Sequence, residues 1–123
     1  MQDGRRRLVG VVDDDAAVRD SLRFLLEAAG FSVLTFQSAE QFLAATDQDG
    51  IDCLLLDHHM PQVTGLELLR RLRRAGWELP VALMTGSPSA QLMRRALELG
   101  AVAVLEKPLT DQALFQFVGD ATG

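Results

Sequence analysis

Positive charge is scarce in this chain of 123 residues: a single lysine, Lys107, stands beside eleven arginines, and the net charge is −5. So acidic a balance argues against direct nucleic-acid binding, which draws on a basic surface. Only Arg5–Arg7 and the group Arg70, Arg71, Arg73, Arg74 make local basic patches. One cysteine, Cys53, excludes an internal disulfide; inside an apolar run it reads as a small core residue in a reducing compartment. No apolar stretch reaches the ~18 residues of a membrane span. The charged start, Met1–Arg7, is not followed by the apolar core of a secretory peptide, so the cytoplasm is the expected location. Also missing are a Gly-rich phosphate loop of the Walker type, a Cys/His nucleophile arrangement, zinc-ligand spacing, internal repeats and low-complexity linkers. The length suits one domain that buries roughly two-thirds of the surface its unfolded chain exposes.

What is present is a regular alternation. Strand-like apolar runs begin near residues 8, 31, 52, 81 and 101, and helical spacing fills the intervals. Val18, Leu22, Leu25 and Leu26 mark a first helix that Gly30 ends. Ser38-Ala39-Glu40-Gln41 has the pattern of a capping box, and Thr64-Gly65-Leu66-Glu67 repeats it. Ser87-Pro88 is expected to open the fourth helix with proline at its first position, and Gly100 to close it. A short fifth helix follows Thr110. The strands show little alternation, as expected when both faces are covered. Five such β-α units imply a doubly wound parallel α/β sheet with helices on both sides. Ligands of these sheets bind beyond the carboxyl ends of the strands.

The polar residues with chemical potential lie at those ends. Asp13, Asp14 and Asp15 follow Leu8–Val12. One of them can serve simply as a helix cap. Three successive carboxylates also repel, a cost that a bound cation offsets, and hard oxygen ligands favour Mg²⁺. Asp57 follows Cys53–Leu56. It is either a turn residue or a carboxylate able to form an acyl phosphate. Neighbouring carboxylates would raise its pKa unless a cation or lysine compensates. A phosphoryl group would add negative charge, giving both Mg²⁺ and Lys107 a task. Lys107 stands between an apolar strand and Pro108, where a compact ammonium suits a phosphoryl oxygen better than it suits open surface. Thr85 is ordinary in a strand, yet with Gly86 behind it the hydroxyl can approach such a group. His58 and His59 are adjacent on a loop, their side chains expected to diverge, and they are not read as a metal pair. Arg70–Arg74 is read as the solvated face of the third helix, and Trp77 as packing at a helix-to-strand turn.

Four segments in order, Val11-Val12-Asp13-Asp14-Asp15, Leu56-Asp57-His58-His59-Met60-Pro61, Met84-Thr85-Gly86 and Glu106-Lys107-Pro108, resemble the receiver domain of two-component response regulators over nearly the whole chain. Val18-Arg19-Asp20-Ser21-Leu22 and Ser38-Ala39-Glu40-Gln41-Phe42-Leu43 look most like the FixJ-type transcriptional regulators. The resemblance implies a flavodoxin-like sheet of five strands in the order 2-1-3-4-5 with five helices. It implies a flexible segment 1–7, a receiver domain at 8–119 and a tail at 120–123. Asp57 would accept a phosphoryl group from the phosphohistidine of a sensor histidine kinase. Asp13, Asp14, Asp57 and the backbone carbonyl of His59 would bind Mg²⁺. Thr85 and Lys107 would contact the phosphoryl group, and Lys107-Pro108 would be a cis peptide. Output would run to a homodimer through the fourth helix, fifth strand and fifth helix, and to transcriptional control by an effector domain outside this chain. One departure matters: three positions before the lysine, where the family carries an aromatic switch residue, stands Val104.

Two other classes weigh against this reading. An aspartate-nucleophile phosphatase also uses an acyl phosphate, but commonly has a second acid two residues after the nucleophile, where this chain has His59. A phosphorylation-independent module of the same fold would be marked by loss of an acidic, threonine or lysine site residue, and none is lost.

Overall fold

Each α-helix among the described residues starts on a side-chain oxygen. In the computed structural model, which describes residues 6–45 and 50–123, Asp15 accepts from the Ala17 amide and opens α1 (Ala16–Ala28). Ser38 caps α2 (Ala39–Ala44) through the Gln41 amide, and Thr64 caps α3 (Gly65–Arg74) through that of Glu67. Ser89 caps α4 (Ala90–Glu98), and Thr110 caps α5 (Asp111–Thr122). Each cap satisfies an amide that the first helical turn leaves without an intrahelical partner.

The start of α4 corrects the sequence expectation. Ser87 does not cap it: its amide donates to the Thr85 hydroxyl at 3.0 Å, holding it to the end of the preceding strand, and the cap is Ser89. The chain thus stays in a turn for two more residues, and Pro88 precedes the cap instead of opening the helix. At the other end α5 runs to Thr122, so residues 120–122 of the expected tail are helical. Of the segment 1–7, residues 1–5 lie outside the described residues.

The five strands, β1 (Leu8–Val12), β2 (Ser32–Phe36), β3 (Cys53–Asp57), β4 (Val81–Thr85) and β5 (Ala103–Glu106), form one parallel sheet in the order β2-β1-β3-β4-β5. Alternation sorts their side chains into two cores. Val9, Val11, Cys53, Leu55, Ala82 and Met84 pack with Leu22 and Leu26 of α1 and Leu114, Phe117 and Val118 of α5. Val12, Leu54, Leu56, Val81 and Leu83 face Phe42 of α2, Leu68, Leu69 and Leu72 of α3, and Ala96 of α4. Strands β3 and β4 are buried at every position, whereas the edge strands β2 and β5 are covered only in part. β5 starts two residues later than its apolar run, since Val102 is left exposed.

Trp77 packs edge-on against Phe42 at the turn from α3 to β4, as its position suggests. Arg73 does not belong to a solvated face. Its guanidinium donates to the carbonyls of Trp77, Leu79, Leu99 and Gly100 at 2.8–3.1 Å, tying the turn after α3 to the end of α4. Arg70 and Arg71 do lie outward, paired with Glu67 one turn back.

Candidate functional site

Because β1 and β3 are adjacent and parallel, their carboxyl ends bring Asp13 and Asp57 side by side. The order reverses between them, which is where a doubly wound sheet opens a crevice. Both carboxylates are buried, Asp57 to 1% exposure. Asp13 is held on all sides. Its amide donates to the Phe36 carbonyl, Oδ1 accepts from the Asp15 amide at 2.9 Å, and Oδ2 accepts from Lys107 Nζ at 2.9 Å. Arg19 fixes its backbone by donating to the Asp13 carbonyl at 2.7 Å. In the sequence Arg19 looks like any outward helical arginine, so nothing there announces this contact.

Asp57 accepts from the His59 amide at 3.1 Å and lies 3.4 Å from Lys107 Nζ, both on Oδ1. Burial foremost, and then the Asp13 charge, push its carboxyl above the usual carboxylate range; the His59 amide and Lys107 pull it back in part. Burial alone would lower the Lys107 ammonium, but its hydrogen bond and charge pairing with Asp13 and Asp57 prevail and raise it. Asp14 is exposed, yet a ligand oxygen from each of Asp13, Asp14 and Asp57 lies within 4.8 Å of the others. Three carboxylates against one ammonium leave net negative charge in a half-open site. Such a donor set fits a divalent, oxygen-preferring cation such as Mg²⁺.

Thr85, fully buried, ends β4, and its carbonyl accepts from the Lys107 amide at 2.8 Å. The Lys107–Pro108 peptide is cis. Gly65 at the start of α3 lies so close to Asp57 that a Cβ there would collide with the Asp57 carbonyl oxygen. Glycine thereby lets α3 seat directly under the site.

The two histidines correct an expectation. Their rings do not diverge but meet edge to face, centroids 5.0 Å apart. A tight turn, with the Met60 amide on the His58 carbonyl, puts consecutive side chains on one side. His58 Nδ1 is buried without a partner, and burial, with His59 nearby, holds its imidazole below the usual range. His59 Nε2 lies 2.8 Å from Thr85 Oγ1, a contact between residues far apart in sequence that no local pattern signals. Val104 sits half-buried on β5, opposite Leu83, against the core shared with α3 and α4. Asp13, Asp14, Asp57, His59, Thr85 and Lys107 thus gather at one edge of the sheet.

Residues 9–119 match the family described as the response regulator receiver domain. The chain belongs to that family and is a receiver domain of the two-component response regulators. It is similar to the transcriptional regulatory protein FixJ of Bradyrhizobium diazoefficiens, 43% identical over 111 residues covering 90% of this chain and 54% of that one. The transcriptional regulatory protein TdiR of Thauera aromatica is 39% identical over 118 residues, 96% of this chain and 52% of its own. Among solved structures, FixJ-N superposes with a TM-score of 0.85 at 38% identity, covering 99% of this chain and 95% of that chain. The chain spans about half the length of the curated relatives it matches. Receiver domains of this family interact with histidine kinases. Among the described residues no helix is long and apolar enough to cross a membrane.

Proposed function

We propose that Asp57 is the phosphoacceptor of a cytoplasmic response regulator, with residues 8–119 as the receiver unit. The observation that carries this is a carboxylate buried to 1% exposure yet braced by Lys107 at 3.4 Å and flanked by Asp13 and Asp14. With Lys107 and the His59 amide both on Oδ1, Oδ2 is left to attack the phosphorus of a kinase phosphohistidine. One P–O bond forms, the P–N bond breaks, and the imidazole leaves with the electron pair. Asp13, Asp14, Asp57 and the His59 backbone carbonyl would hold Mg²⁺, which supplies positive charge against the phosphoryl oxygens when bound. Lys107 then shifts from Asp13 toward the phosphoryl group, and the Thr85 hydroxyl donates to one of its oxygens. The domain promotes its own phosphorylation and dephosphorylation without acting on another substrate.

Output passes through the loop 86–89 and α4, drawn by Thr85, to the face made by α4, β5 and α5. Met93, Leu97 and Val102 are exposed there and support a homodimer or a contact with an effector domain. The net charge of −5 fits a domain that does not itself bind nucleic acid.

Acetyl phosphate with Mg²⁺ should add one phosphate to the wild type and none to Asp57→Asn, read by intact mass. Lys107→Ala and Lys107→Arg should both impair phosphorylation and output. Two unit charges 4 Å apart at an effective dielectric of ~20 interact by about 4 kcal/mol, an upper guide to the loss. Equal labelling of Asp57→Asn, or full labelling of the wild type in excess EDTA, refutes the assignment.

A further inference from the structure

The Thr85 hydroxyl is already held at both sides. The Ser87 amide donates to Oγ1 at 3.0 Å, and His59 Nε2 lies 2.8 Å from the same atom. A hydroxyl has one hydrogen and two lone pairs. With one lone pair on the Ser87 amide, the ring takes either the hydrogen or the second lone pair, according to its tautomer. In the first case no hydrogen remains for a phosphoryl oxygen. In the second the oxygen is pinned between two donors. In the first case Thr85 must give up the ring before it donates to a new acceptor; in the second its hydrogen is free, but moving the oxygen toward a phosphoryl group on Asp57 still stretches its tie to the ring.

His59 is anchored at its other end as well. Its amide donates to Asp57 Oδ1 at 3.1 Å, so one residue of the loop between β3 and α3 spans from the acceptor carboxylate to the hydroxyl heading the β4–α4 loop. The residue is exposed and outside the core clusters, so its ring can be replaced without opening the interior. Its tie to Thr85 serves neither the sheet nor a helix cap.

We propose that His59 is a latch: in the unphosphorylated domain its ring holds the Thr85 hydroxyl, and through Ser87 the start of the loop before α4, in the resting arrangement. A phosphoryl group on Asp57 competes for that hydroxyl and releases the loop. This rests on the reading of Asp57 as acceptor and Thr85 as the hydroxyl that meets the phosphoryl group. His59 acts as a positioning residue that sets how readily the domain switches, since a ligand shifts a two-state equilibrium only by its differential interaction with the states. Losing one net hydrogen bond from the resting state should favour the switched state about fivefold, about 1 kcal/mol.

The test uses beryllofluoride with Mg²⁺ as the phosphoryl mimic, because it removes any effect of His59 on acyl-phosphate hydrolysis. His59→Leu keeps bulk without a hydrogen bond, and His59→Gln keeps a side chain able to bond Thr85. His59→Leu should bind the mimic about fivefold tighter than wild type. Its Ser87 amide should exchange faster by a similar factor in the free protein, while His59→Gln stays within about twofold of wild type on both readouts. All three should unfold cooperatively, with the midpoint of His59→Leu lowered by no more than the few degrees that one lost hydrogen bond brings, showing that the fold is intact. Wild-type affinity together with wild-type Ser87 exchange in His59→Leu overturns the latch, as does identical behaviour of the leucine and glutamine variants. The exchange comparison needs no mimic, so it decides the latch even if the acceptor assignment fails. That failure has its own sign, which is Asp57→Asn binding beryllofluoride as the wild type does.

Discussion

Helices α3 and α4 lie next to each other on one face of the sheet, yet they are held very differently. α3 buries Gly65, Leu66, Leu68, Leu69 and Leu72, whereas α4 buries only Ala96. α3 begins against the Asp57 backbone, where Gly65 permits the approach, while α4 follows the exposed stretch Gly86-Ser87-Pro88-Ser89. Arg73 fastens the far end of α4 by donating to the Leu99 and Gly100 carbonyls. One helix is part of the frame that fixes the carboxylates. The other is a lever, sparsely packed, held at the end nearest Thr85 through the Ser87 amide and tied at the remote end by Arg73. Elements that move are drawn from the weakly packed part of a fold, and α4 meets that description.

The contrast can be broken most directly by stability. Leu69→Ala should cost about 2–5 kcal/mol in denaturant unfolding, because it opens a cavity in a fully buried site. Met93→Ala on the exposed side of α4 should stay within about 0.5 kcal/mol of wild type. Comparable losses in the two variants would show that α4 is packed as firmly as α3.

A smaller effect sharpens the account of the site. The Asp57 carboxyl is raised in the folded protein above its unfolded value, chiefly by burial and then by Asp13. Between those two values the folded state binds more protons than the unfolded one, so stability from this group falls as pH rises through the window. Above the raised pKa the ionised carboxylate therefore burdens the fold, and there Asp57→Asn should be more stable than wild type. That advantage should shrink as pH falls through the raised Asp57 pKa, and Mg²⁺ should stabilise the wild type more than the variant. An advantage that grows on acidification would contradict the electrostatic picture.

How far the sequence shows all this depends on the kind of interaction. Asp13, Asp57, Thr85 and Lys107 were legible because each ends an apolar run, and parallel strands necessarily deliver their carboxyl ends to one edge. The central strands were legible for the same reason. The edges were less so: β5 begins at Ala103, with the apolar Val102 left outside the sheet, and α4 begins at Ala90 on a Ser89 cap, with Ser87 held back by the Thr85 hydroxyl. Arg19 and Arg73 were not legible as anchors, nor was the tie of the His59 ring to Thr85. Their partners are carbonyls or a hydroxyl reached through space, and neither periodicity nor composition records such contacts.

Val104 gives the lever its importance. Its branched side chain is short and stiff, half-buried against the α3 and α4 core, so it cannot swing between buried and exposed poses as an aromatic would. Switching then depends on α4 and its leading loop. The decisive measurement is residue-level hydrogen exchange of the wild type and Val104→Ala, each with and without beryllofluoride and Mg²⁺. The account predicts that the mimic changes exchange in residues 85–95, leaves residues 66–72 of α3 unaltered, and does so in Val104→Ala as in wild type. No change in residues 85–95, together with a large loss of response in Val104→Ala, would contradict it.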